Sequence, residues 1–130
     1  MTLVRGTRPW GTGSPMRRGE IRFVDLEPIR GAEADKRRPA VIVSNDGANE
    51  AATRLGRGVV TVVPVTTNAA RVYPFQVLLP ASETGLAADS KAQAEQVRSV
   101  AVERIGDRAG VVPRDLLAAL DEALRLHLAL

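Results

Sequence analysis

The feature that most limits the fold is the apolar run PAVIVS at residues 39–44, which follows directly on the three cations KRR at residues 36–38. A near-continuous run of β-branched residues is typical of a central strand that is buried on both faces. A second run of this kind, VVTVVPVT, occupies residues 59–66. Its Pro64 lacks the amide that a strand ladder needs, so we expect an edge or a bulge near the end of this strand. The chain is therefore expected to form a β-sheet.

Two shorter segments are also predicted to be strands. Residues 20–26 loosely alternate apolar and polar side chains, as a half-buried strand does, and residues 74–80 are a short apolar run between two prolines. Residues 90–105 contain good helix formers that nevertheless alternate with a period of two, and we favour strands there. The polar Gln96 and Arg98 then interrupt an otherwise apolar face. A bulge near Val97 and a functional role for the polar residues explain this interruption equally well.

Two helices are predicted, one short and one terminal. Asn45 or Asp46 can cap the short helix, and Gly56 can end it. The terminal helix begins at Pro113 and carries leucines at four-residue spacing, namely Leu116, Leu120, Leu124 and Leu128. Several strands followed by a packed helix predict a mainly β domain with short helices, folded as a small barrel or a strongly twisted sheet. Residues 1–15 lack periodicity and are expected to be a disordered leader, with residues 16–130 as a single domain.

Composition makes several kinds of function improbable. The chain has no cysteine, hence no disulfide framework and no thiolate nucleophile. No apolar run approaches the roughly 20 residues of a membrane helix, and the opening residues do not resemble a secretory signal, so no membrane association is predicted and the cytoplasm is the expected compartment. Without an acidic cluster or a glycine-rich phosphate loop, neither a metal nor another cofactor is predicted. The single histidine, His127, lies among leucines and is expected to be a helix position outside any catalytic site.

Charge and aromatic content give only a weak indication of nucleic-acid binding. The net charge is +3, but residues 1–15 contain two arginines and no acidic residue, which leaves 16 basic and 15 acidic side chains in the remainder. A basic surface must therefore come from local clustering. Phe23 and Phe75 are expected to lie in the core, since four aromatic residues are too few for a base-stacking platform.

Polar residues at the ends of the predicted strands indicate chemistry at phosphate. The five that stand out are Glu33, Arg38, Thr66, Gln96 and Arg98. A guanidinium fixed at a strand end offers planar donors that match phosphate oxygens and remains charged at any working pH. A threonine hydroxyl can add a neutral hydrogen bond to the same oxygens. Taken alone, an Arg-Pro sequence at the start of a strand is more typical of a solvated strand cap.

Six short motifs resemble one known family when they are taken together. They are MRRGEI at residues 16–21, DL at 25–26, RPAVIVSND at 38–46, VPVTT at 63–67, YPF at 73–75 and EQVRS at 95–99. In order and spacing they are similar to the MazF/PemK/Kid toxins over essentially residues 16–130. This resemblance implies a small SH3-like barrel with a C-terminal helix, a homodimer, and metal-independent cleavage of single-stranded RNA at short sequence motifs. It also implies neutralisation by a MazE-like antitoxin.

The resemblance assigns roles to individual residues. It places the family's catalytic arginine at Arg38 and its catalytic threonine at Thr66. It also implies 2′-OH attack that leaves a 2′,3′-cyclic phosphate and a 5′-OH end, inhibiting translation and growth. The residues expected to bind substrate are Glu33, Lys36, Arg37, Thr67, Gln96 and Arg98. Glu33 is a candidate general base, because an arginine stays protonated at any working pH and is a poor base. A structural role or a role in positioning RNA fits Glu33 as well.

Two features of the sequence limit what the resemblance implies. Residues 31–37 form a charged stretch where many relatives are rich in glycine, so no cleavage motif is predicted. The alternative class is a gyrase poison of the CcdB type, which is similar in fold but acts by binding a topoisomerase. Such proteins end in an aromatic-bearing tail, whereas residues 126–130 read LHLAL. The endoribonuclease prediction is therefore preferred.

Overall fold

The computed structural model describes residues 16–26 and 37–130, and the predicted leader at residues 1–15 lies outside them. These two ranges contain seven strands: β1 (Glu20–Asp25), β2 (Arg37–Ile42), β3 (Val59–Thr66), β4 (Gln76–Leu79), β5 (Ser90–Gln93), β6 (Arg98–Ala101) and β7 (Ile105–Val111). The α-helices are α1 (Asp46–Leu55), α2 (Ala81–Thr84) and α3 (Arg114–Leu128). Short 3-10 turns at Ala94–Gln96 and Val102–Arg104 flank β6. None of the helices in the described residues is long and apolar enough to cross a membrane.

All strand pairs of the sheet are antiparallel, and β3 is its central strand. The strand order is β4-β5-β3-β2-β1-β7, and β6 also pairs with β3. One edge of β3 contacts β2, whereas the other contacts first β6 and then β5. The predicted irregularity near Pro64 is confirmed, since Pro64 lies where this second edge changes partner from β6 to β5. The prediction that β3 is an edge strand there is wrong, because β2 pairs with it at the same residue.

Alternate residues of β3 contribute to two hydrophobic cores. Val60 and Val62 lie in a core shared by β1, β2, β6, β7 and α1. Val63 and Val65 lie in a second core, which α3 completes with Leu120 and Ala123. Burial on both faces explains why this strand and β2 are near-continuous apolar runs. The predicted mainly β domain with a C-terminal helix is confirmed, and the expected small barrel is present as a barrel-like sheet that does not close.

The predicted capping residues lie at the two ends of α1. Asn45 is the N-cap, and its side chain accepts a hydrogen bond from the Ala48 amide at 2.8 Å. Gly56 ends the helix in the left-handed conformation with φ 71°, where a side chain is strained. The predicted helix is therefore confirmed at both ends.

The segment 90–105 forms strands as predicted, with a change of phase between them. Ala92 and Ala94 are buried in the second core, whereas Val100 and Val102 are buried in the first. The 3-10 turn at Ala94–Gln96 separates the two pairs. The predicted single apolar face is therefore wrong, and the interruption near Val97 is a backbone irregularity between two strands.

The prediction that Phe23 lies in the core is wrong, since it is 40% exposed. Phe23 lies opposite Pro39 in the ladder between β1 and β2. Phe75 is half-buried and stacks on Tyr73, with ring centroids 5.5 Å apart and an interplanar angle of 3°. The structure thus places a pair of aromatic rings at the surface before β4.

Candidate active site

Strands β2 and β3 position the two residues predicted to be catalytic. Their register pairs Ala40 with Pro64, Val41 with Val63 and Ile42 with Val62. The ladder ends at the pair Ala40–Pro64, and Arg38 and Thr66 each lie two residues beyond it. Because side chains two residues apart on a strand share a face, Arg38 and Thr66 belong to the same face as that last pair. Strands β2 and β3 therefore carry Arg38 and Thr66 on one face, just past the end of their paired segment.

Arg38 is an exposed side chain on a well-paired strand. Its backbone lies opposite Val24 of β1, and Pro39 fixes the next backbone angle. The guanidinium makes no hydrogen bond or ion pair with another described residue. Its five donors are therefore available to a ligand.

Arg37 lies on the opposite face of β2, because successive strand residues alternate. A Cβ added at Gly106 would lie 2.9 Å from the Arg37 Nη1 atom and 3.1 Å from the Phe23 carbonyl oxygen. Gly106 therefore provides the space that the Arg37 side chain needs. The structure separates the two arginines, with Arg38 on the face of Thr66 and Arg37 on the other.

Thr66 ends β3 and begins a tight turn. Its side chain is half-buried, and Oγ1 accepts a hydrogen bond from the Asn68 amide at 3.2 Å. The adjacent Thr67 is exposed, and its carbonyl oxygen accepts a hydrogen bond from the Ala69 amide at 2.9 Å. The Thr66 oxygen is thus oriented by the backbone, while its own proton can still be donated.

Lys91 of β5 lies directly opposite Thr66 on the other edge of β3. It is only 8% exposed. Its Nζ atom donates a hydrogen bond to the Arg71 carbonyl oxygen at 2.7 Å and lies 5.7 Å from the Tyr73 ring centroid. No role was predicted for it, because its relation to Thr66 depends on a register that the sequence pattern does not show. The only signal was a lysine within the small, alternating segment SKAQA at residues 90–94.

The aromatic pair lies next to this lysine. The Arg71 Nη1 atom donates a hydrogen bond to the Tyr73 hydroxyl at 3.2 Å, and its Cζ atom lies 5.8 Å from the ring centroid. Tyr73 is 41% exposed. Two cations therefore lie against an accessible aromatic ring, an arrangement suited to cation–π contacts.

A carboxylate is fixed beside the same loop. The Gln76 side chain accepts a hydrogen bond from the Tyr73 amide at 3.1 Å and donates one to Glu95 Oε2 at 2.8 Å. Glu95 Oε1 is buried and has no hydrogen-bond partner among the described residues. Gln96, predicted to bind substrate, follows Glu95 in the 3-10 turn and is exposed.

Arg98, another residue predicted to bind substrate, supports the end of β1. Its Nη1 atom donates a hydrogen bond to the Leu26 carbonyl oxygen at 2.9 Å. Arg104 Nη1 lies 3.4 Å from the Asp25 carbonyl oxygen, one residue earlier. These arginines therefore fix the backbone just before residue 27, which gives Arg98 a structural contact that the sequence did not predict.

Two further predicted residues, Glu33 and Lys36, lie outside the described residues. His127 is exposed near the end of α3. Within the described ranges 16–26 and 37–130, no group of three or more histidine or acidic side chains could hold a metal ion. The arrangement at the end of β3 therefore offers cations, a hydroxyl and aromatic rings, which suits an anionic ligand with planar bases.

Comparisons with known proteins agree with this chemistry. Residues 17–128 match the family described as PemK-like, MazF-like toxin of type II toxin-antitoxin system. The chain is 67% identical over 115 residues to Endoribonuclease MazF9 of Mycobacterium tuberculosis, covering 88% of this chain and 98% of the relative. It is 29% identical over 115 residues to Endoribonuclease EndoA of Bacillus subtilis, covering 88% of this chain and 96% of the relative.

Solved structures agree on the fold. The crystal structure of MazF from Deinococcus radiodurans superposes with a TM-score of 0.68 at 28% identity, covering 91% of this chain and 100% of that one. A MazE-MazF crystal structure from the same organism superposes with a TM-score of 0.68 at 27% identity, covering 90% of this chain and 99% of that one.

Proposed function

The chain belongs to the family of PemK-like and MazF-like toxins of type II toxin-antitoxin systems, and from this premise we propose that Arg38 and Thr66 form its active site. The chain is an endoribonuclease toxin, as its identity to MazF9 over nearly the whole relative indicates. The observation that supports this assignment is the register between β2 and β3, whose last pair, Ala40 with Pro64, lies two residues from Arg38 and two residues from Thr66 on the same face. The comparisons give no support to the gyrase-poison alternative.

The proposed reaction is cleavage of single-stranded RNA by its own 2′-hydroxyl. The 2′-oxygen forms a bond to the adjacent phosphorus, and the bond from phosphorus to the 5′-oxygen breaks. The 2′-proton passes to a base and the 5′-oxygen takes up a proton, leaving a 2′,3′-cyclic phosphate and a 5′-OH end. Negative charge builds on the non-bridging oxygens during this step, so preorganised donors near them lower the barrier.

Arg38 is suited to stabilise that charge. Its guanidinium presents two parallel donors with the spacing of two phosphate oxygens. Because described residues do not bind it, substrate binding displaces no protein partner of Arg38 in this part of the chain. A fixed strand carries its backbone, so little reorganisation is needed during the reaction.

Thr66 adds an uncharged donor to the same phosphate. Its oxygen accepts the Asn68 amide proton at 3.2 Å, which leaves the hydroxyl proton to be donated to a phosphate oxygen. The remaining predicted contacts are proposed to bind the flanking nucleotides, with Glu33 also a candidate for the base; they are Glu33, Lys36, Arg37, Thr67, Gln96 and Arg98. The proposed compartment is the cytoplasm.

Metal-independent cleavage is the first expected result. When the protein is incubated with a long unstructured RNA in EDTA, discrete fragments with 5′-OH ends are expected, because the proposed mechanism uses only protein side chains. Labelling with a kinase before and after phosphatase treatment identifies the ends. Intact RNA, together with inhibition of DNA supercoiling by gyrase, would favour the topoisomerase-binding class instead.

A homodimer that binds a MazE-like antitoxin is also proposed. The Deinococcus relative has been solved in a MazE-MazF complex, and the family resemblance implies two toxin subunits. Light scattering at micromolar concentration is expected to give a mass near twice the 13.9 kDa of one chain. A mass that stays at that of one chain over this range would contradict the proposal.

A further inference from the structure

Lys91 lies beside the proposed active site. It is paired with Thr66 in the ladder between β3 and β5, and paired residues share one face of a sheet whose strands are about 4.8 Å apart. Arg38 lies on the same face beyond the other edge of β3, two residues past the last pair between β2 and β3. Arg38, Thr66 and Lys91 therefore belong to one face of three adjacent strands.

The described residues compensate the charge of Lys91 only in part. The residue is 8% exposed, and among the described residues no carboxylate lies within ion-pair distance of it. Of its three donors, one binds the Arg71 carbonyl oxygen at 2.7 Å. Buried lysines without an acidic partner are rare, because removing an ammonium from water is costly.

The position would favour an apolar side chain if only folding mattered. Lysine is depleted in strands, and this lysine is buried although its partners in the two ladders of β5 are Thr66 and Leu78, neither of which is acidic. A residue that breaks a local rule beside a site commonly serves that site. An anion at Thr66 would supply both the missing counter-charge and an acceptor for the remaining donors.

We propose that Lys91 binds the same substrate phosphate as Arg38 and Thr66, on the β5 side of Thr66. This inference rests on the proposed endoribonuclease function. The ammonium donates a hydrogen bond to a non-bridging oxygen and keeps its protons throughout. As the 2′-oxygen adds to phosphorus and the 5′-oxygen leaves, Lys91 stabilises the charge on that oxygen from the side opposite Arg38. Its contacts with Arg71 and Tyr73 hold the ammonium in place.

The test is Lys91→Met, which removes the charge and keeps a flexible, unbranched stem of similar length. We expect kcat/KM for RNA cleavage to fall about 100-fold, the lower range for loss of one donor to a developing charge. For binding of an uncleavable 2′-deoxy oligonucleotide, the slope of log K against the logarithm of the salt concentration should be smaller in magnitude by about 0.7. This is the contribution of one phosphate contact on a single strand. The melting temperature should stay equal or rise, because a poorly compensated buried charge is removed.

Arg57→Met is the matched control, since Arg57 is exposed and precedes β3 at the end remote from Thr66. It should keep the wild-type kcat/KM and salt slope. The inference is overturned if Lys91→Met cleaves like wild type, or if its activity falls together with its melting temperature while the salt slope is unchanged. If Lys91→Met does not fold, two other variants serve instead. Lys91→Arg should keep the salt slope of the wild-type protein, whereas Lys91→Gln should have a smaller slope. Equal salt slopes for these two variants overturn the inference. Inactive wild-type protein would instead contradict the proposed function.

Discussion

Replacing Arg38 by alanine is expected to lower kcat/KM for RNA cleavage by about 1,000-fold, the upper range for removal of one donor to an oxyanion. The melting temperature should change little, because Arg38 is exposed and has no hydrogen bond or ion pair with another described residue. Single-turnover cleavage of a short RNA in EDTA measures kcat/KM, and thermal unfolding measures the melting temperature. A loss of activity without a loss of stability would assign the effect to the site.

The neighbouring Arg37 provides a control with the same charge and side chain. It lies on the other face of β2 beside Gly106, so Arg37→Ala should cost no more than the loss of one phosphate contact that attracts RNA. Arg38→Lys keeps the charge but loses the paired donors, and an intermediate rate is expected. Equal losses for Arg37→Ala and Arg38→Ala would mean that general electrostatic attraction, and no specific contact at Arg38, accounts for the activity.

The sequence predicts the strands and helices around this site better than it predicts how the strands pair. The boundaries of β3 match the predicted run at residues 59–66, because burial on both faces makes the run almost purely apolar. The helix from Asn45 to Gly56 was predicted because each end has a specific chemical requirement. Strand β7 was missed, since its sequence IGDRAGV has neither alternation nor a β-branched run. It forms because β1 supplies a partner along most of its length.

The site residues likewise differ in whether the sequence or the structure identifies them. Arg38 and Thr66 were identified by the family motifs, whereas Lys91 is identified only by the register between β3 and β5. Pairing between distant strands is a tertiary property, and no local pattern encodes it. The exposure of Phe23 was missed for a related reason: its face of β1 remains accessible to solvent near the start of β2.

The largest expected loss of stability concerns a buried ion pair at the start of β1. Glu20 is 7% exposed and Arg22 is 3% exposed. Arg22 donates to Glu20 Oε1 from Nη2 at 2.8 Å and from Nε at 3.0 Å, and its Nη1 atom donates to the Gly106 carbonyl oxygen at 3.1 Å. The other carboxylate oxygen of Glu20 lies 3.4 Å from Arg108, whose side chain is 56% exposed. Most of the compensation for the buried carboxylate therefore comes from Arg22.

Arg22→Ala is expected to lower the free energy of unfolding by about 3–5 kcal/mol, because it leaves the Glu20 carboxylate buried without its main partner. Arg108→Ala should cost about 0–1 kcal/mol, since an exposed partner is screened by solvent. In the double variant Glu20→Gln with Arg22→Met the buried charge is gone, and most of the loss should be recovered. Urea unfolding of the four proteins measures these differences. If the double variant is as unstable as Arg22→Ala, packing of the arginine stem and its bond to Gly106 dominate, and the ion pair contributes little.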